Sequence, residues 1–261
     1  MEMTEGTISA QTFNLLKQKG IFVKEFISQN VLVENLLVLD LGAGSGGTSV
    51  ILSQQNKVVS FDLSRKRLRN QETSKSIFRV NGDAAKLPFK SNHFDLIILQ
   101  DVIEHIPGYE NLIEEVIRIL KKNGYIYLST PNKYSLINIV SDPHWGVPLV
   151  AILNRNQIKK YFLKIFRKRQ VSRKDIAQLL SLNNINRIFN GQFEKSLKTK
   201  FVVEWVMDRK QGVIWGKFHK ALLNIIKFTR IDKLLLIITN DNYGIINKYF
   251  TPTFYLLLRK K

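Results

Sequence analysis

The sequence predicts an α/β protein: a doubly wound, mostly parallel sheet with helices on both faces and a helical insertion in its C-terminal part. Three observations predict it. Short apolar runs recur between residues 36 and 129, helical segments separate most of them, and the first run ends in a glycine-rich turn. A strand buried on both faces needs an apolar residue at nearly every position. Strands that alternate with helices pair in parallel, because each crossover returns the chain to the end where it started.

Residues Ser9 to Ser28 place Phe13, Leu16, Phe22 and Phe26 at roughly helical spacing, which predicts an N-terminal helix, or two broken near Gly20. The first strand is Leu36 to Leu41. Lys57 to Phe61, Ser76 to Val80, Phe94 to Leu99 and Gly124 to Ser129 repeat its pattern. Between the last two, Asn111 to Lys121 carries Leu112, Val116, Ile119 and Leu120 on one helical face, with Gly124 just beyond. After Thr130-Pro131-Asn132 the rhythm changes. An irregular Asp142-Pro143-His144-Trp145-Gly146 segment precedes an amphipathic basic helix through Lys159, Lys160, Lys164 and Arg167. Ser172-Arg173-Lys174-Asp175 predicts an N-cap opening a helix to about Leu182, followed by a weak strand at Ile185 to Phe189. A long helical insertion from Phe193 to Lys248 and a terminal strand at Thr253 to Leu258 complete the chain. The predicted division is an N-terminal helical segment (1–34), a core (35–132) and a C-terminal region of basic helical insertions and final strands (133–261).

With 261 residues and 44% hydrophobic content, the chain can bury a sizeable core. It has no cysteine, which excludes disulfides, thiolate nucleophiles and Cys-ligated zinc; with no clustered His, Asp and Glu either, no metal is predicted. The net charge of +19 is uneven. Up to Asn132, 15 Lys and Arg meet 14 Asp and Glu; from Lys133 onward, 25 meet 7. Such a field attracts polyanions, either nucleic acid or an anionic membrane face. A Lys-rich coding bias is the bland account, but it would load both halves alike. The apolar stretch Leu222 to Thr239 is interrupted by Lys227, Arg230, Asp232 and Lys233, so it predicts no spanning helix. The N-terminus carries acids where a secretory signal would carry bases, which predicts a cytoplasmic protein, with peripheral contact at the inner membrane face as an option.

The strongest chemical signal is Val38-Leu39-Asp40-Leu41-Gly42-Ala43-Gly44-Ser45-Gly46-Gly47, a strand running into a glycine-rich turn and a helix. Glycines let the backbone approach a ligand closely. Gly42, Gly44 and Gly47 also satisfy the dinucleotide spacing, so the run alone leaves a nicotinamide and a methyl donor open. Asp40 favours the methyl donor: a carboxylate at the strand end can receive an ammonium group and would repel a pyrophosphate.

Four further blocks follow in order: Phe61-Asp62-Leu63-Ser64; Gly82-Asp83-Ala84 with Leu87-Pro88-Phe89; Phe94-Asp95-Leu96-Ile97; and Val102-Ile103-Glu104-His105-Ile106. With them, Leu36 to Asn132 resembles the class I S-adenosylmethionine-dependent methyltransferases, of the type 11 group that includes quinone-biosynthesis enzymes. The resemblance implies a Rossmann-like seven-stranded fold, S-adenosyl-L-methionine as cofactor and methyltransferase activity. One departure is Lys122-Asn123-Gly124 where that group has Pro-Gly-Gly. The cofactor-binding residues it implies are Asp40, the turn residues Gly42, Ala43, Gly44 and Gly46, then Asp62 on the ribose hydroxyls with Leu63 beside it. Asp83 would accept the adenine amino group while Ala84 offers its N–H, and Gln100, Asp101 and His105 would lie near the methionine part. Asp62 could instead cap a helix, although Ser64 suits that better, and Asp83 could be an ordinary turn aspartate. Asp95 is read as structural.

Methyl transfer from a sulfonium is an in-line displacement that positioning largely accelerates. If the acceptor is a hydroxyl, a base helps, and His105 is the first catalytic candidate; otherwise it packs under the cofactor as a structural hydrogen bonder. His144, on an aromatic-bearing loop after the fifth strand, is the second. His93 and His219 have no argument in their favour. Asp142 to Gly146 and Phe250-Thr251-Pro252-Thr253-Phe254 resemble relatives associated with glycan and lipid-linked assembly. The predicted acceptor is therefore a small-molecule, lipid-linked or glycan hydroxyl. RNA methylation is the rival the charge suggests, though the chain has no recognisable RNA-binding module; a non-catalytic S-adenosylmethionine-binding scaffold is the other, and a dehydrogenase is the weakest.

Overall fold

Seven strands form one sheet in the order β3-β2-β1-β4-β5-β7-β6. They are β1 (Leu37–Leu41), β2 (Lys57–Asp62), β3 (Ile77–Asn81), β4 (Phe94–Gln100), β5 (Leu120–Pro131), β6 (Phe193–Leu197) and β7 (Thr253–Lys260). The first five pair in parallel, whereas β7 runs antiparallel to both β5 and β6. The computed structural model describes residues 9–173, 175–189, 191–208 and 217–261. The acidic residues Glu2 and Glu5 of the N-terminal reading, and Lys174 of the expected helix cap, lie outside the described residues. The chain winds outward through β1, β2 and β3, then returns to lay β4 on the other side of β1. The carboxyl ends of β1 and β4 therefore flank the crevice where doubly wound sheets bind ligands.

The sheet alternates as its sequence requires. Along β4, Ile97 and Leu99 enter one core while Leu96 and Ile98 enter the other. The first core is closed by α4 (Tyr109–Ile119), through Leu112, Val116 and Ile119, and by α8 (Leu182–Ile188), through Leu182 and Ile185. The second is closed by α1 (Ala10–Ser28) and α9 (Thr199–Met207), with Phe22 edge-on to Tyr255 at 5.3 Å and Phe26 edge-on to Tyr127 at 5.1 Å. Helix α1 is single and unbroken. Gly20 does not interrupt it but lets it lie on α2 (Gly47–Leu52): a Cβ there would sit 2.8 Å from the Gly47 carbonyl oxygen. Asp95 is structural, accepting from the Leu37 N–H at 2.9 Å and from Lys121 at 2.7 Å. Lys122-Asn123-Gly124, which stands where the resemblance expects Pro-Gly-Gly, lies within β5, where the register against β4 shifts between Phe94 and Leu96 and Asn123 takes the left-handed conformation, φ 61°. On the outer edge, α3 (Arg65–Arg69) follows β2.

The C-terminal half departs from several expectations. The basic helix forms as α6 (Arg155–Gln157), a π-helical stretch Ile158–Leu163 and α7 (Lys164–Phe166), after α5 (Leu136–Val140). The helix expected from Ser172 to Leu182 is absent among the described residues; 175–179 run without helix and Leu180 bridges to Asn132. The cap is Ser181, whose hydroxyl accepts from the Asn184 N–H in a reciprocal capping box, so Ile185 to Ile188 is helical rather than a strand. Nor is Phe193 to Lys248 wholly helical. It opens with β6, an edge strand whose Phe193 and Leu197 face the core, and continues through α9, α10 (Lys217–Phe228), α11 (Ile231–Ile238) and α12 (Ile245–Tyr249).

Candidate functional site

Where β1 ends, Gly42, Gly44 and Gly46 take φ values of 74°, 54° and 79°, a region that side chains resist. Two of these glycines are also needed for space: a Cβ on Gly42 would lie 2.5 Å from Val102 Cγ2, and one on Gly46 2.8 Å from the Gln71 side chain. Gly44 differs. Among the described residues beyond its chain neighbours, the nearest atom to its absent Cβ is the Gly42 carbonyl oxygen at 3.9 Å, so the turn leaves an open cradle there. Ala43 is held by its N–H to the Phe61 carbonyl at 3.0 Å.

Asp62, the last residue of β2, grips this turn. Its Oδ2 accepts the Gly44 N–H at 2.8 Å and its Oδ1 the Ser64 N–H at 2.7 Å, while Ser64 rather than Asp62 caps α3. Leu63 is 75% exposed beside it and presents an apolar lip. After β3, Asp83 is exposed and turns the chain by accepting the Ala85 N–H at 2.9 Å, with Ala84 half-buried against the first core.

Asp40 lies beneath the turn. It is 3% exposed and its Oδ2 accepts the Ser49 hydroxyl at 2.5 Å, so an incoming ammonium group would have to displace that bond. Further bonds run from Ser49 to Ser60, from Ser60 to Gln71, and from Gln71 Nε2 to the Gly44 carbonyl at 2.9 Å. Burial pushes the Asp40 carboxyl up from 3.8 to about 6, opposed by the Ser49 bond and aided by the charge on Asp62. Because the folded value lies above the unfolded one, the native state binds the proton more tightly, and stability is lost as pH rises from about 4 to 6. Above pH 7 the ionised group costs roughly 2–3 kcal/mol. Asp40→Asn, which stays neutral and can still accept from Ser49, is expected to be more stable than wild type by about 1–2 kcal/mol at pH 8 and by nothing at pH 4. Urea unfolding at the two pH values checks this.

At the end of β4, Gln100 accepts the Thr48 hydroxyl at 2.7 Å. Asp101 takes a left-handed conformation, φ 55°, accepts the Ser129 hydroxyl at 2.9 Å, and has Lys19 of α1 3.8 Å away. The 3-10 turn Ile103–His105 then places two titratable groups together. Glu104 is 1% exposed; its Oε2 accepts the Thr130 hydroxyl at 2.9 Å, and its Oε1 has no protein partner. Burial, then the charge on Asp101, pushes Glu104 up to about 8.

His105 Nδ1 meets Asp175 Oδ1 at 2.5 Å. Partial burial of the ring opposes its charge, but the Asp175 bond and the charges of Glu104, Asp175 and Asp101 raise it overall. The bond holds Asp175 down to about 2. The His144 ring stands 5.1 Å from that of His105 at 78°. Crowding of its ring and the charge on His105 push His144 down to about 4, although one side stays open to solvent.

Two expected catalytic histidines are thus side by side, at the strand ends that also carry the glycine turn. Three residues the sequence reading passed over join them. Glu104 stood within a quoted block and could have been singled out as the residue preceding His105. Asp175 is 70 residues from its partner and gave no signal. Arg155 donates to the Glu104 carbonyl at 2.9 Å and, like Asp175, is recruited by the fold alone. The expectation that no His, Asp and Glu cluster exists is corrected: Glu104, His105 and His144 each offer a ligand atom, all within 4.8 Å of one another.

Residues 39–128 match the family model described as methyltransferase domain. A demethylmenaquinone methyltransferase from Oceanobacillus iheyensis is 28% identical over 109 residues, 38% of this chain and 46% of that protein. A ubiquinone biosynthesis O-methyltransferase from Pelagibacter ubique is 30% identical over 44% of this chain and 51% of that protein. The chain spans about half the length of these relatives. Among solved structures, an S-adenosylmethionine-dependent methyltransferase from Mesorhizobium loti superposes over 93% of this chain and 98% of that one, with a TM-score of 0.58 at 13% identity. Residues 39–128 are thus similar to a methyltransferase domain, and the chain has the fold of S-adenosylmethionine-dependent methyltransferases.

Proposed function

We propose that this chain binds S-adenosylmethionine in the cradle at Gly44 and methylates a hydroxyl held over Glu104, His105 and His144. The observation that carries the reading is the juxtaposition, at neighbouring strand ends, of an open glycine turn gripped by Asp62 and an imidazole oriented by Asp175. Bound there, the cofactor supplies an activated methyl group on a sulfonium, so alignment matters more than acid catalysis. Gly42, Ala43, Gly44 and Gly46 shape the bed, and Asp62 accepts ribose hydroxyls in addition to the Gly44 N–H. Leu63 covers one face of the adenine while Asp83 and Ala84 meet its polar edge. Gln100 and Asp101 border the methionine part, and Asp40 supports the turn from below. His105, with Nδ1 committed to Asp175, keeps Nε2 for the acceptor proton. His144 forms the opposite wall. Calorimetric titration tests the binding step: S-adenosylmethionine and S-adenosylhomocysteine are expected to bind, and a protein that ignores both yet binds NAD would overturn the reading. Binding without any turnover would favour a scaffold.

We infer further that the acceptor is lipid-linked or a glycan presented at an anionic membrane. In α10 and α11, Phe228 is 89% and Ile237 80% exposed, and Lys220, Arg230 and Lys233 stand among them. No described helix is long and apolar enough to cross a membrane, so the apolar side chains would enter the interface while the bases meet headgroups. Each such base contributes about 1 kcal/mol, screened by salt. Nuclease-treated protein is expected to float with anionic but not neutral vesicles, and Phe228→Asp to float less. Failure to bind anionic vesicles, or binding that disappears with RNA, would favour an RNA acceptor.

A further inference from the structure

We infer that Glu104, His105 and His144 form a binding site for a divalent transition-metal ion, with its remaining coordination positions open toward the acceptor. The three donors come from two segments, the turn after β4 and the 142–146 loop, and their ligand atoms already lie within 4.8 Å of one another. Donors around a cation at about 2.0–2.2 Å lie roughly 3–4 Å apart, so side-chain torsions suffice to close the site.

A second observation points to the same occupant. Glu104 Oε1 is buried without a hydrogen-bond partner, although every other acceptor of this residue is provided for. Thr130 donates to Oε2, and the Arg155 guanidinium and the Gln178 N–H both donate to its carbonyl at 2.9 Å. Buried carboxylate oxygens are normally partnered, so this one is available to serve as a ligand atom.

The surroundings of the histidines agree. Asp175 binds Nδ1 of His105, which fixes the tautomer and leaves Nε2 as the donor, the arrangement in which a carboxylate orients a metal-ligating imidazole. Asp142 accepts the N–H groups of His144 and Trp145, each at 2.8 Å, and so anchors the loop that carries the second imidazole. Two imidazoles and one carboxylate suit zinc, manganese or cobalt better than calcium. Three protein ligands leave room for an exogenous oxygen. The cation deepens the proposed reaction: an acceptor hydroxyl bound to it becomes more acidic and releases its proton to solvent, and His105 then acts as a ligand and not as the base.

The test uses the intact chain stripped with a chelator and titrated without S-adenosylmethionine. Zn2+ and Mn2+ are followed by calorimetry and Co2+ by its visible absorption bands. One equivalent is expected to bind, with affinity at least tenfold lower in both Glu104→Gln and His144→Ala. Circular dichroism of the stripped variants establishes that each is folded; His144 lies on a loop, so its variant serves even if Glu104→Gln does not fold. No binding by wild type, or binding unchanged in the variants, overturns the site. The proposed methyl transfer fails separately: stripped protein that binds no S-adenosylmethionine defeats that reading and leaves the cation site standing. Cofactor binding without cation binding leaves His105 as the base.

Discussion

Replacing His105 with Ala is expected to lower turnover by about 100- to 10,000-fold, the range over which a positioned base or an acceptor-activating ligand contributes, with cofactor affinity little changed. The separation of the two effects follows from the structure. His105 sits on the 3-10 turn after β4 and bonds to Asp175, whereas the glycine turn is held by Asp62, Gln71 and Phe61. Removing the imidazole leaves those bonds intact. Single-turnover kinetics alongside calorimetry decide the matter. If the variant loses cofactor binding and its turnover falls only in proportion to occupancy, His105 is a structural hydrogen bonder. Asp175→Asn supplies a second comparison: the ring keeps a partner but loses its orienting charge, and a fall of roughly 10- to 100-fold is expected.

Replacing Asp62 with Ala is expected to weaken S-adenosylmethionine binding by roughly 1–3 kcal/mol, about 5- to 150-fold. Two losses combine. Charge-assisted bonds to the ribose disappear, and the Gly44 and Ser64 N–H groups lose their acceptor, so the cradle itself loosens. Asp62→Asn separates them, because an amide oxygen can keep one backbone bond while the charge is gone. Binding by Asp62→Ala equal to that of wild type would rule out both contributions.

The turn was legible because its requirements are local. Left-handed φ values at Gly42, Gly44 and Gly46 and an apolar run before them are written into consecutive residues. The parallel strands were legible for a similar reason, since burial on both faces leaves continuous apolar runs. Edge strand β6 was not: buried on one face only, Phe193-Glu194-Lys195-Ser196-Leu197 alternates weakly over five residues and sits among good helix formers. The cap at Ser181 was misplaced because Ser172 offers the same local chemistry, and only packing of Leu182 and Ile185 against the first core chooses between them.

By itself, the sequence determined the sheet's parallel half, the cofactor turn, the carboxylates at the ends of β1 and β2, and the split between a neutral and a basic half. Tertiary structure alone decided that Asp175 orients His105 across 70 residues, that His144 comes to 5.1 Å from that ring, and that Glu104 keeps a buried, unpartnered oxygen. The physical reason is the range of the forces involved. Backbone conformation and burial periodicity act between near neighbours in the chain and leave a pattern there. A hydrogen bond, an ion's coordination shell or the desolvation of a carboxylate acts over a few ångströms of space, and what lies within that distance is settled only when β4, the 142–146 loop and the segment at 175–179 are folded onto one edge of the sheet.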